Sequence, residues 1–193
     1  MQTGANKKGP AKKSAGVSSV SLLRDQKKRL AEAELLLDIS RRISAMDSLD
    51  AVLKMLVETA TSRLNAERGS LFLNDPNTNE LYSRVAMGNF MREIRILSTS
   101  GIAGHVFTSG EGLIIPDAYA DSRFNRNIDE QTGFVTRNIL CVPIKTAKGQ
   151  IMAVAQILNK KKGRFNKEDM RLLSEMMKQG APSLQSLQFI EQM

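Results

Sequence analysis

Two apolar segments in the second half of the chain constrain its fold more than any other feature. Residues 138–145 and 150–158 are dominated by aliphatic side chains. Between them lies Ala147-Lys148-Gly149, a short polar sequence that ends in glycine and is typical of a tight turn. The pattern predicts an antiparallel β-hairpin made of the two strongest strands in the protein.

Weaker segments extend this hairpin into a sheet with helices at both chain ends. Further strands are predicted at residues 68–74, 81–87, 92–97 and 113–115. Helices are predicted at residues 21–46, 48–65, 101–109, within 127–135, and from 166 towards 193. Gly180-Ala181-Pro182 should break or kink the last helix. This order predicts an α+β fold: a six-stranded antiparallel sheet with terminal helices on one face and the polar insert, residues 117–136, on the other.

The positive charge of the chain is concentrated at its N-terminus. The net charge is +8, yet residues 1–30 hold eight of the 28 basic residues and only one of the 20 acidic ones. The rest is nearly neutral, which argues against a nucleic-acid-binding face. Residues 1–20 have the composition of a disordered tail, either a solubilising linker or an arm that touches acidic lipid or nucleic acid.

The residues that usually carry chemistry are scarce. Cys141 is the single cysteine and His105 the single histidine, so neither a disulfide nor a zinc cluster is expected. Cys141 lies inside an apolar segment and is interpreted as a small buried hydrophobe. No apolar run reaches the roughly 18 residues that span a membrane. We therefore expect a cytoplasmic protein that is not an enzyme and holds no metal or cofactor.

The helix over residues 21–46 has two apolar faces. Leu23, Leu30 and Leu37 are seven residues apart, the spacing of a two-stranded coiled coil. The neighbouring face carries Ile39 and Ile43, which suits packing on the helix's own domain. Both interpretations remain open, and the first predicts a homodimer.

The polar insert and the helix before it are candidates for a ligand site. Gly101 and Gly104 flank a helix start whose free backbone N–H groups can receive an anion. On a helix, Asp129, Thr132 and Thr136 would share one face and offer a carboxylate and two hydroxyls to a polar ligand. Alternatively, these three side chains bond to nearby backbone, as Asp and Thr often do.

Several short motifs in a fixed order resemble the GAF domain. They cover residues 48–180 and are most similar to the GAF domains that regulate mammalian cyclic-nucleotide phosphodiesterases and some bacterial adenylyl cyclases. The motifs are Glu67-Arg68-Gly69-Ser70-Leu71-Phe72, Gly101-Ile102-Ala103-Gly104-His105, Ile115-Pro116-Asp117-Ala118-Tyr119, Arg123-Phe124, Asp129, Thr132-Gly133-Phe134, Thr136, Asn138-Ile139-Leu140-Cys141-Val142-Pro143, and Asn159-Lys160.

The resemblance implies a role for each site residue. Ser70 would hydrogen-bond a purine, and Ile102 and Ala103 would offer backbone N–H groups to a cyclic phosphate. Asp129, Thr132 and Thr136 would come from a lid, and Gln156 stands where the family can carry an acidic residue. Some members stack the purine on an aromatic side chain, whereas this chain has Ala86 and Met87 at the matching place. Four further residues would steady the pocket: Asn159, Lys160, Phe165 and Asp169, with an ion pair between Lys160 and Asp169.

These observations together predict how the whole chain is organised and what it does. The expected parts are a disordered tail at 1–20, a helix at 21–46, a GAF domain at 47–180 and a linker helix at 181–193. The expected function is regulatory: the domain binds cyclic AMP or cyclic GMP and signals through dimeric terminal helices to an effector enzyme domain. The alternative is a dimerisation or scaffold domain with an empty or different pocket.

Overall fold

The computed structural model describes residues 19–84 and 93–193. The chain divides into two compact units, residues 1–35 and residues 36–193. The described part of the first unit, residues 19–35, is helical. It belongs to helix α1 (Ser19–Ser44), whose last residues belong to the second unit. Among the described residues, no helix is long and apolar enough to cross a membrane.

The described residues of the second unit form four more helices and six strands. Helix α2 (Leu49–Arg63) precedes strands β1 (Ala66–Asp75), β2 (Glu80–Ser83) and β3 (Ile94–Leu97). Helix α3 (Gly101–Ser109), strand β4 (Leu113–Ile115), a 3-10 turn (Ala118–Ala120) and helix α4 (Asn127–Thr132) follow. Strands β5 (Ile139–Lys145) and β6 (Ile151–Lys160) and helix α5 (Lys167–Gln192) complete the unit.

The six described strands form one sheet in the order β3-β2-β1-β6-β5-β4, with every neighbouring pair antiparallel. The predicted hairpin is strands β5 and β6, closed by a turn in which Thr146 N donates to Gln150 O at 2.8 Å. Gly149 in that turn has a φ of 82°, which suits glycine. The predicted α+β class and six-stranded antiparallel sheet are confirmed.

Different helices pack on the two faces of the sheet. Helices α2 and α5 pack against each other, α2 packs on β1, and α5 packs on β5. A Cβ atom added to Gly69 on β1 would lie 2.6 Å from Thr61 Oγ1 of α2, so this helix lies directly over the strand. Because side chains alternate along a strand, Arg68 and Ser70 point to the opposite face, where α3 packs on β5 and β6.

Helix α5 contradicts one prediction. It continues through Gly180-Ala181-Pro182 as a single helix. A Cβ atom on Gly180 would lie 2.5 Å from Leu56 Cδ1, so this glycine lets α5 approach α2 closely. A break at this site was therefore wrong, because Gly180 serves packing between helices and the chain accepts Pro182 inside the helix, whereas a kink stays a prediction.

Candidate functional site

A cavity opens on the face of the sheet opposite α2 and α5. It lies between strands β1, β3 and β6, the start of α3, and the segment around α4. Its volume is about 110 Å³, roughly ten times what one water molecule requires. The larger part of its wall is apolar, including Phe72, Ile94, Ile96 and Phe124. We refer to residues 117–136, which cover this cavity, as the lid.

One wall of the cavity is the N-terminus of helix α3. Ser100, Gly101, Ile102 and Ala103 all line the cavity. Ser100 occupies the cap position but its side chain makes no capping hydrogen bond. The first N–H groups of a helix have no partner within it, so this end carries a partial positive charge next to the cavity. The start of α3 is therefore a candidate anion-binding site.

The structure explains why glycine occupies positions 101 and 104 of α3. Gly101 has a φ of 71°, in the left-handed region. A Cβ atom on Gly104 would lie 2.7 Å from the carbonyl carbon of Thr99, which no real side chain tolerates. The chain therefore turns tightly just before α3, and that turn brings the helix start to the cavity.

On the lid, the carboxylate of Asp129 accepts three hydrogen bonds from the protein itself. Thr136 N and Thr136 Oγ1 donate at 2.6 and 2.8 Å, and the Tyr119 hydroxyl donates at 3.0 Å. Asp129 and Thr136 both line the cavity, yet both are buried. Asp129 therefore holds together three parts of the lid: the 3-10 turn, α4 and the segment that follows α4.

Thr132 lies at the end of α4 and also lines the cavity. Its hydroxyl oxygen accepts from Phe134 N at 3.3 Å, which leaves its own O–H proton free to donate. The helix ends here because Gly133 has a φ of 69° and its N–H bonds back to Asp129 O at 2.8 Å. α4 is thus shorter than the segment predicted to hold it, and Thr136 lies beyond its end.

The floor of the cavity is formed by strands β1 and β6. Ser70 and Gln156 are directly opposite each other in the ladder, and both line the cavity. Within residues 19–84 and 93–193, neither side chain makes a hydrogen bond. The floor therefore offers a hydroxyl and an amide, each able to donate and to accept.

Asn159, at the end of β6, ties the lid to the sheet. Its Oδ1 accepts from Arg137 N at 2.6 Å and Asn138 N at 3.3 Å. Its Nδ2 donates to Val135 O at 2.8 Å and to Glu67 Oε2 at 2.9 Å. Asn159 is fully buried and has a φ of 58°, a conformation that Asn tolerates better than most residues.

Glu67, on strand β1, takes part in the same hydrogen-bond network as Asn159. It accepts from Arg137 Nη2 at 2.6 Å as well as from Asn159. The hydrogen bonds from Arg137 and then Asn159 lower the pKa of Glu67. The carboxylate therefore stays charged and keeps both donors in place around neutral pH.

The remaining predicted pocket-stabilising residues lie where β6 passes into α5. Lys160 Nζ lies 2.6 Å from Asp169 Oδ2 and 5.6 Å from the ring centroid of Phe165. Asp169 also accepts from Asn166 N at 3.0 Å within a capping box, so one carboxylate fixes both the lysine and the helix start. Both charged side chains are mostly buried, which strengthens their attraction relative to an exposed pair.

Most of the predicted ligand-binding residues line one cavity. Seven of the nine predicted ligand-binding residues line the same cavity: Ser70, Ile102, Ala103, Asp129, Thr132, Thr136 and Gln156. Ala86 and Met87 lie outside the described residues. Arg68 and Phe134 were not proposed as ligand-binding residues, yet both line the cavity. The alternation along β1 could have revealed Arg68, which shares a face with Ser70.

Cys141 and His105 are poorly placed for catalysis. Cys141 is fully buried in the apolar core next to the cavity, and burial raises the pKa of its thiol. His105 is exposed on α3 and does not line the cavity. In the part of the chain that the structure describes, no three His, Cys, Asp or Glu side chains are grouped to hold a metal ion.

Comparison with known proteins assigns the family. The sequence profile of the GAF domain matches residues 48–184. The chain belongs to the GAF domain family. The fold agrees with a solved GAF domain, that of a phosphoenolpyruvate-protein phosphotransferase from Coxiella burnetii, with a TM-score of 0.74 and 19% identity. That alignment covers 84% of this chain and 97% of the other, and at this identity it shows the fold alone.

Curated relatives of this GAF domain include two phosphodiesterases. The chain is 35% identical, over 88% of its length, to dual 3',5'-cyclic-AMP and -GMP phosphodiesterase 11 of Drosophila melanogaster. It is 37% identical, over 71% of its length, to the probable 3',5'-cyclic phosphodiesterase pde-5 of Caenorhabditis elegans. The matched regions are only 13% and 20% of those proteins. The chain is therefore homologous to a small part of each.

Proposed function

We propose that this GAF domain is a regulatory module that binds a cyclic nucleotide, cyclic AMP or cyclic GMP, in the cavity beneath the lid. The observation that carries the proposal is the convergence of two kinds of unsatisfied group on one cavity. The uncapped start of α3 suits a phosphate, and the hydroxyl and amide of Ser70 and Gln156 suit the edge of a purine.

Each side chain then has an assigned role. Ile102 and Ala103 donate backbone N–H groups to the cyclic phosphate. Ser70 and Gln156 form hydrogen bonds with the purine. Thr132 donates its hydroxyl proton from the lid. Asp129 and Thr136 contact the ligand from the lid they hold together, and the residues around Asn159 and Lys160 keep the pocket in shape.

The curated relatives support a cyclic nucleotide over other ligands. The Drosophila protein is named for cyclic AMP and cyclic GMP, and this chain matches only 13% of it. Since Cys141 is buried with a raised pKa and His105 lies away from the cavity, we propose that this domain has no catalytic activity. It would act in the cytoplasm and relay ligand binding to an effector enzyme domain.

Isothermal titration calorimetry with each cyclic nucleotide tests the proposal. A ligand at 100 times its Kd should stabilise the fold by about 2.7 kcal/mol, which a thermal melt also detects. Heat or a melting shift with one nucleotide supports the proposal and gives its preference between the two. No heat and no melting shift at millimolar concentrations of either would reject it.

Thr132→Ala tests the contribution of the lid. We expect weaker nucleotide binding, because one acceptor on the ligand loses its donor. Thr132→Ser keeps the hydroxyl and should keep most of the affinity. Thr78→Ala, in the exposed turn between β1 and β2, is the control. Unchanged affinity in Thr132→Ala would remove this residue from the site.

A second function, dimerisation, rests on the exposed leucines of α1. Leu23, Leu30 and Leu37 are 58%, 61% and 52% exposed, although they are large and apolar. Their heptad spacing favours a homodimer joined by this helix, through which the ligand signal would pass. Light scattering should give twice the monomer mass, and replacing all three leucines with glutamate should give monomers. A wild-type monomer at high concentration would reject this function.

The dimer and the ligand site are separable. A domain that dimerises but binds neither nucleotide would be a scaffold with an empty or different pocket. Calorimetry and light scattering on the same sample distinguish that alternative from a nucleotide-binding regulator.

A further inference from the structure

The cavity wall contains the guanidinium of Arg68. Arg68 lines the cavity from strand β1, and its guanidinium carbon lies 3.9 Å from the centre of the Phe134 ring on the lid. The side chain is half-buried. Among the described residues, no carboxylate forms an ion pair with it. Contact with an aromatic face stabilises such a cation only partly.

Among the described residues, the carboxylate on the same cavity, Asp129, forms no ion pair with Arg68. Asp129 receives hydrogen bonds from Tyr119 and Thr136, which fix its carboxylate within the lid. Much of the remaining wall is apolar and screens charge poorly. Arg68 and the uncapped start of α3 are thus the positively charged groups of this wall, and Asp129 is the carboxylate that lines it with them.

We propose that Arg68 supplies the charge that makes this cavity select anionic ligands. This inference rests on the proposed function and identifies the residue that favours a nucleotide over the uncharged nucleoside. In the structure, the guanidinium lies against the ring of Phe134. With an anion bound, its face stays on the ring while its in-plane N–H groups point towards the negative charge. An arginine can do both at once, because stacking uses the face of the group and hydrogen bonding uses its edge.

Arg68→Gln tests the charge with little change in side-chain length. The probes are the cyclic nucleotide that wild type binds better and the nucleoside with the same base. Loss of a charged hydrogen-bonding partner should weaken binding of the cyclic nucleotide by about 10- to 100-fold. Binding of the uncharged nucleoside should change by less than about threefold, within the range of ordinary surface effects.

Two further variants and a salt series complete the experiment. Arg68→Lys keeps the charge and should recover part of the affinity. Arg63→Gln removes the same charge from the exposed end of α2, away from the cavity, and should bind like wild type. The affinity of wild type for the nucleotide should fall as salt rises from about 50 to 300 mM, and that of Arg68→Gln should fall less. Thermal melts of each variant without ligand report on folding.

The outcomes are distinct. A loss confined to the nucleotide, or a flattened salt dependence where the nucleoside binds too weakly to measure, supports the inference. An equal loss for nucleotide and nucleoside would show that Arg68 shapes the wall instead, and it overturns the inference. Unchanged nucleotide affinity in Arg68→Gln also overturns it. If wild type binds neither cyclic nucleotide, the proposed function fails first, before any variant is compared.

Discussion

Replacing Asn159 with alanine should strongly lower the free energy of unfolding of this domain, although the side chain is small. Asn159→Ala deletes four hydrogen bonds, those to Arg137 N, Asn138 N, Val135 O and Glu67. At about 1 kcal/mol each, they contribute about 4 kcal/mol. Alanine also tolerates the φ of 58° less well than asparagine, which adds up to about 1 kcal/mol. We expect a total loss of about 4–5 kcal/mol.

That loss is large against the whole stability of a domain, which is usually about 5–15 kcal/mol. Urea unfolding followed by circular dichroism measures it as a shift in the transition midpoint at constant slope. Asn159→Gly removes the same hydrogen bonds without the backbone strain. It should therefore be about 1 kcal/mol less destabilising than Asn159→Ala.

Asn79→Ala is the matched control. Asn79 also has a positive φ, 59°, but it lies in an exposed turn and its side chain makes one hydrogen bond, accepted from Ser98 Oγ at 3.3 Å. We expect it to cost about 1–2 kcal/mol. If Asn159→Ala and Asn79→Ala differed by less than about 1 kcal/mol, the buried hydrogen bonds of Asn159 would not carry the energy that we assign to them.

Three further predictions concern other contacts. Gly180→Ala places a methyl group 2.5 Å from Leu56 Cδ1. We expect a net loss of about 1–2 kcal/mol in thermal melts despite the better helix propensity of alanine; a more stable variant would contradict this packing. Asp129→Ala leaves three lid donors without their acceptor. Hydrogen exchange should therefore accelerate in the lid, and unchanged protection would refute its role there. The hydrogen bonds from Arg123 lower the pKa of Asp121 to about 2. This pair should stabilise the fold fully above pH 4 or so, the pKa range of an unfolded Asp, and lose its effect as the pH falls towards 2. Arg123→Met should remove that part of the acid sensitivity measured by urea unfolding.

Local patterns were enough to predict the architecture. Apolar positions mark the strands, and turn residues join β1 to β2 and β5 to β6, so much of the sheet follows from alternation and turn chemistry. The error at Gly180 has a physical cause. A glycine before a proline resembles a helix stop in sequence, but its role here depends on Leu56, which is far away in the chain.

The candidate site was predictable to a smaller extent. Sequence motifs selected seven residues that line one cavity, and whether they bind a ligand stays a prediction. The motifs did not reveal that Asp129 bonds so extensively within the lid, although the preference of Asp for local hydrogen bonds had offered that alternative. Nor did they reveal the four partners of Asn159, because those bonds connect residues up to 92 positions apart.

The lid is held at two points by contacts that need no ligand. Asp129 joins the parts of the lid to one another, and Asn159 holds its C-terminal end to strand β1 through Glu67. A lid that is already ordered adds little entropic cost when a ligand binds. A ligand under the lid must nevertheless enter and leave, and moving the end of the lid away from the sheet would break the hydrogen bond from Asn159 Nδ2 to Val135 O. In the function proposed above, we expect this contact to contribute both to the stability of the domain and to the time for which a ligand stays bound.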